Sequence, residues 1–93
     1  MSKHNSYFDG AVQSLGFERH GRKQTVGVIE PGEFHFGTDA AERMTVINGE
    51  LQAKLPGSTV WVVYPAGTTF EIPAKSGFDV KSSVASAYWC EFI

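Results

Sequence analysis

A length of 93 residues allows one domain with a modest core, and 42% hydrophobic against 19% charged residues is the balance of a folded chain. A net charge of −2, with eight scattered Lys and Arg residues, argues against nucleic acid as the partner. The lone cysteine, Cys90, excludes an internal disulfide framework, and no run approaches the ~18 apolar residues of a membrane span.

The N-terminal stretch Met1-Ser2-Lys3-His4-Asn5-Ser6 has no apolar run behind its charge, so residues 1–6 are expected to form a loosely ordered segment of a cytoplasmic protein. From there short β-type runs alternate with Gly/Pro turns, and no segment has helical periodicity. Val12 to Phe17 is the first run, and Thr25 to Ile29 the next, stopped by Pro31-Gly32. Phe34 and Phe36 alternate with Glu33 and His35, which predicts a half-buried strand with the rings inward. Met44 to Ile47 runs into Asn48-Gly49, and Glu50 to Leu55 leaves it. That dipeptide predicts a hairpin with a type I′ turn, whose two central residues both take positive φ. Val60 to Tyr64, Thr69 to Ile72, Phe78 to Val80 and Ala87 to Phe92 complete the set. The four prolines lie at or beside turns. The reading is a single all-β domain over residues 1–93, a small barrel or sandwich, with barrel closure removing exposed edges.

Two segments frame a pocket. Glu42-Arg43-Met44-Thr45-Val46-Ile47-Asn48-Gly49 sets a carboxylate seven residues ahead of a turn glycine. Pro65-Ala66-Gly67-Thr68-Thr69-Phe70 is a P-x-G turn with an aromatic three residues past its glycine. Both resemble the two motifs of the cupin fold, without their histidines. Phe36, Thr38 and Phe70 stand where metal ligands would be, and Glu42 alone keeps a ligand type. The expectation is a jelly-roll-like cupin barrel that requires no metal but retains a pocket. Strand parity turns Phe34, Phe36, Glu42 and Met44 inward.

Taken whole, the chain resembles the pyrimidine/purine nucleoside phosphorylase family of small bacterial cupins. The likeness runs through Asn5-Ser6-Tyr7-Phe8 with Gly10 and Val12, then Ser14-Leu15-Gly16-Phe17, Val26-Gly27-Val28 and Pro31-Gly32-Glu33. It continues through Glu42 to Gly49, Tyr64 with Ala66-Gly67, Ser76 with Phe78, and Tyr88 with Cys90. The resemblance implies cleavage of purine and pyrimidine nucleosides by inorganic phosphate, giving free base and ribose 1-phosphate. It also implies broad base tolerance, phosphate as co-substrate with no cofactor, and a homodimer.

The resemblance assigns no role residue by residue, so the site is read from position and chemistry. Glu42 is the candidate catalytic group, binding ribose or steadying positive charge on the sugar, because an inward carboxylate is costly without a partner. Arg22, Lys23 and Arg43 are the phosphate candidates, with Lys75 a fourth. Gly21 beside Arg22 and Lys23 predicts a mobile loop able to fold over an anion, whereas parity turns Arg43 outward. Phe36, Thr38, Met44, Tyr64, Phe70 and Tyr88 are the candidate nucleoside contacts, although any one aromatic has a plainer reading as core. Cys90 reads as a buried structural thiol. Two other functions fit the same residues: a non-catalytic cupin that binds a nucleoside or sugar-like molecule, and a structural module whose Tyr7 and Phe8 reach to a neighbour.

Overall fold

The computed structural model describes residues 2–93, and every regular element in them is a β-strand. The ten strands are β1 Lys3–Tyr7, β2 Val12–Arg19, β3 Arg22–Ile29, β4 Gly32–Thr38, β5 Glu42–Asn48, β6 Glu50–Lys54, β7 Val62–Pro65, β8 Thr69–Ile72, β9 Ser76–Ser82 and β10 Ser86–Phe92. They pair antiparallel into a six-stranded sheet of order β1-β2-β3-β10-β5-β8 and a four-stranded sheet of order β4-β9-β6-β7. The chain stays in one sheet through its first three strands. After β3 every connection except β6 to β7 crosses to the opposite sheet, the path of a jelly roll.

Period-two patterning builds the core between the sheets. Phe78, Val80 and Ser82 of β9 face Tyr88, Cys90 and Ser86 of β10 as buried positions, with exposed or half-buried neighbours between them. Ile29, Met44, Val46, Leu51 and Ile72 fill the space, each at most 1% exposed. As read from the sequence, Phe34 and Phe36 pack against this core while Glu33 and His35 face solvent.

Two local expectations are corrected. Met1 lies outside the described residues, but Lys3–Tyr7 is no loose segment: it pairs along its whole length with β2, from Lys3 opposite Gly16 to Tyr7 opposite Val12. An edge strand largely polar on both faces carries no hydrophobic alternation, so backbone pairing holds it there, with a side-chain hydrogen bond between His4 Nε2 and Gln13 Oε1 at 3.0 Å. Asn48-Gly49 is not a hairpin turn either, because β5 and β6 belong to different sheets. Only Gly49 takes positive φ, at 86°, and a Cβ there would lie 2.4 Å from Ser86 Oγ. The Ser86 hydroxyl accepts from the Glu50 amide at 3.1 Å, so the glycine lets the chain press onto Ser86 and change sheets. The two-residue turn with both φ positive is His20-Gly21, at 55° and 71°, between β2 and β3.

Candidate functional site

A cavity of about 250 Å³ opens on the inner face of the larger sheet. Register explains its composition. Thr25, Cys90 and Met44 form one cross-strand row, and Phe92 opposite Glu42 begins the next. Val12 and Ser14 from β2 and Tyr88 from β10 extend the same face, Phe36 and Gly37 enter from β4, and the Tyr7-Phe8 turn borders the mouth. His35 also borders it from β4, its ring held by Asp79 at 2.8 Å.

Glu42 is the one carboxylate among these residues. The Cys90 thiol donates to Glu42 Oε1 at 3.4 Å. Burial raises the Glu42 carboxyl above its ordinary 4.5, and the thiol hydrogen bond opposes that shift in part. Burial, together with the nearby Glu42 carboxylate, pushes the Cys90 thiol well up, so it remains a neutral donor rather than a nucleophile. Tyr88 is pushed up to about 12, chiefly by burial, and keeps its phenolic proton. Its ring fits only because residue 27 is glycine: a Cβ there would lie 2.7 Å from the Tyr88 hydroxyl and ring.

Of the residues singled out from sequence, Phe36, Glu42, Met44 and Tyr88 border this cavity. Thr38, Tyr64 and Phe70 do not. The Thr38 hydroxyl donates to the Pro73 carbonyl at 2.8 Å and accepts from the Ser76 amide at 3.0 Å, tying the end of β4 to the start of β9. Tyr64 and Phe70 pack on each other at 4.4 Å, with Phe70 edge-on to Phe78 at 5.9 Å.

The cations separate by strand face. Arg22 and Lys23 belong to β3 and to no mobile loop, since Gly21 merely completes the two-residue turn. Arg22 and Arg43 lie on the outer face of the larger sheet, each 3.8 Å from Glu91, and Arg43 also meets Glu71 at 3.1 Å. Lys23 takes no part in these pairs. It shares the cavity face with Thr25, one row further along β3. The Lys75 amide donates to the Asp39 carbonyl at 3.2 Å, and the residue does not border the cavity.

Tyr7, Phe8, Ser14, Thr25 and Phe92 border the cavity without having been singled out as a site. No motif marks them. The available signal was parity, since small or hydroxylic residues at Ser14, Thr25 and Gly27 leave room on the face that Tyr88 shares.

The positions that hold metal in other cupins do not fit one here. Phe36 and Phe70 are phenyl rings, and the Thr38 hydroxyl is committed to backbone partners. Among the described residues no three His, Cys, Asp or Glu side chains converge. No helix among them is long and apolar enough to cross a membrane.

Two antiparallel sheets around a cavity with one carboxylate give this chain the fold of a small cupin. The solved structure of an RmlC-like cupin from Shewanella frigidimarina shares this fold with a TM-score of 0.77 at 16% identity, covering 99% of this chain and 83% of that one. The sequence profile described as pyrimidine/purine nucleoside phosphorylase matches residues 2–92, and the chain belongs to that family. A Sorangium cellulosum protein named pyrimidine/purine nucleoside phosphorylase is 66% identical over 93 residues, spanning all of both chains. A Vibrio parahaemolyticus protein of unknown function superposes with a TM-score of 0.97 at 46% identity, over 100% of this chain and 99% of its own.

Proposed function

We propose that this chain is a nucleoside phosphorylase that cleaves purine and pyrimidine nucleosides with inorganic phosphate, releasing free base and ribose 1-phosphate without a metal or other cofactor. One observation carries the reading within this family: a single carboxylate, Glu42, set in a cavity otherwise lined by apolar and hydroxyl- or thiol-bearing side chains. A volume of about 250 Å³ falls just below the roughly 300 Å³ at which pockets for drug-sized ligands begin, so the occupant is small.

In this reaction a phosphate oxygen bonds to the anomeric carbon as the bond to the base nitrogen breaks, and the electron pair leaves with the base. The sugar passes through an oxocarbenium-like state, as in other glycosidic cleavages. Ionised Glu42 accepts from ribose hydroxyls and offsets that positive charge. Tyr88, which keeps its proton, donates a hydrogen bond. Lys23 is the proposed phosphate cation, because Arg22 and Arg43 are turned away and paired with Glu91. A cytoplasmic location accords with one unpaired thiol.

One observation favours a rival: no Lys or Arg borders the cavity, as a non-catalytic nucleoside-binding cupin would allow. The two readings separate when purified protein is given inosine or uridine, with and without phosphate and with a chelator present, and products are followed by chromatography. Phosphate-dependent release of base with ribose 1-phosphate is the expected result. Binding without cleavage would select the rival.

A further inference from the structure

The turn joining β1 to β2 is shaped in a way that chain reversal alone does not require. Phe8 and Asp9 both take positive φ, 54° and 55°, ahead of Gly10 at 87°. A bulky ring on left-handed backbone is disfavoured, and such strain collects at ligand sites. The ring gains little burial in return: Phe8 is 46% exposed and Tyr7 beside it 51%. What the conformation achieves is reach. The Phe8 ring extends from the larger sheet to β4 of the smaller one, 4.9 Å from Phe34 and 6.0 Å from Phe36, with only 14° between the Phe8 and Phe36 planes.

The cavity is divided accordingly. Its inward hydroxyl, thiol and carboxylate groups, Ser14, Thr25, Glu42, Tyr88 and Cys90, all stand on the larger sheet. Opposite them the cavity is bordered by Phe36 and by the Phe8 ring stacked beside it, and the His35 ring is already bonded to Asp79. A nucleoside has the same division, a hydroxylated sugar joined to a flat ring. We propose that Phe8, backed by Phe36, is the wall on which the base stacks, while the sugar lies toward Glu42. This rests on the nucleoside reading above and deepens it. Stacking accepts any base because every base has a π face, so recognition by Phe8 is the source of purine and pyrimidine tolerance.

The test uses the full-length protein with Phe8→Ala and Phe8→Leu, the latter keeping apolar bulk without a π face. KM for inosine and uridine and binding of free hypoxanthine and uracil by NMR titration are measured, with a melting curve for each variant. Both variants are expected to raise KM and weaken base binding by roughly ten-fold for purine and pyrimidine alike, with kcat within about two-fold and Phe8→Tyr near the parent. Unchanged KM in Phe8→Ala, a loss confined to one class of base, or full function in Phe8→Leu would overturn the stacking role while leaving phosphorolysis intact. Base binding that weakens in Phe8→Ala, in a protein that cleaves nothing, would keep the stacking wall and remove the phosphorylase reading. A parent protein that binds neither nucleoside nor base would overturn both.

Discussion

Glu42 is in tension between folding and function. Its carboxyl is raised because burial disfavours the charge, so the folded protein holds the proton more tightly than the unfolded chain does. The sign follows directly. Above the ordinary value of 4.5 the unfolded chain ionises first, and stability falls as pH rises until the folded carboxyl has also ionised. Glu42→Gln removes that penalty and leaves an oxygen to accept from Cys90. The variant is expected to melt above the parent at pH 7, with the gap closing as pH falls below 4.5. Turnover should drop by roughly a hundred-fold, since the amide neither offsets positive charge nor matches a carboxylate as acceptor. Thermal melts across pH and steady-state rates check the two halves. A variant neither more stable at pH 7 nor slower would remove Glu42 from the site.

Strand face decides which cation can serve. Lys23 shares the cavity side with Thr25, whereas Arg22, one residue earlier, is paired on the other side of the same sheet. Lys23→Ala is expected to raise the KM for phosphate roughly ten-fold, as for a lost charge-assisted hydrogen bond, with Arg22→Ala within about two-fold of the parent. Equal effects would mean that phosphate is not held from this face. Turns obey a similar logic. Gly21 and Gly49 both take positive φ, but a Cβ meets nothing within 4 Å at Gly21 and overlaps Ser86 at Gly49. Urea titration should find Gly21→Ala costing about 1 kcal/mol and Gly49→Ala about 3 kcal/mol or more.

These contrasts mark what was legible in the sequence. Alternation exposed the all-β architecture and the inward set Phe34, Phe36, Glu42 and Met44, because each position follows from local parity. It could not expose partners set by topology. Asn48-Gly49 has hairpin chemistry, yet its strands enter different sheets, and the clasp on Glu50 comes from Ser86, distant in sequence. Thr38, Tyr64 and Phe70 point inward as expected, but the space beside them is taken by Pro73, Ser76 and Phe78 rather than left open. Phe8 was invisible as a cavity residue because a left-handed turn, not a strand, aims it.

At the scale of the whole molecule, the larger sheet uses its inner face for the cavity and carries an apolar patch within its otherwise charged outer face. Leu15, Val26, Val28 and Ile47 lie there on three strands flanking or forming the sheet centre, between 42% and 52% exposed, with Trp89 on β10 between them. We propose that the homodimer implied by the family resemblance forms through this face. A standard interface takes roughly 800 Å² from each partner, about a seventh of the 5503 Å² on this chain, which one sheet face can supply. Both signs of charge border the patch, Arg22 and Arg43 with Glu71 and Glu91, so a two-fold axis can set unlike charges together. Sedimentation should find about 20 kDa, twice the 10.2 kDa of one chain. Val26→Glu should reduce it to the single chain, by burying a carboxylate from each copy near the axis. A Val26→Glu protein that still sediments as a dimer would move the interface elsewhere. Because Val26 faces away from the cavity, the same variant also tests whether each copy is self-sufficient. Retained cleavage by a folded monomer would mean that one chain carries a complete site. Loss of cleavage with the melt preserved would mean that the second copy completes the site.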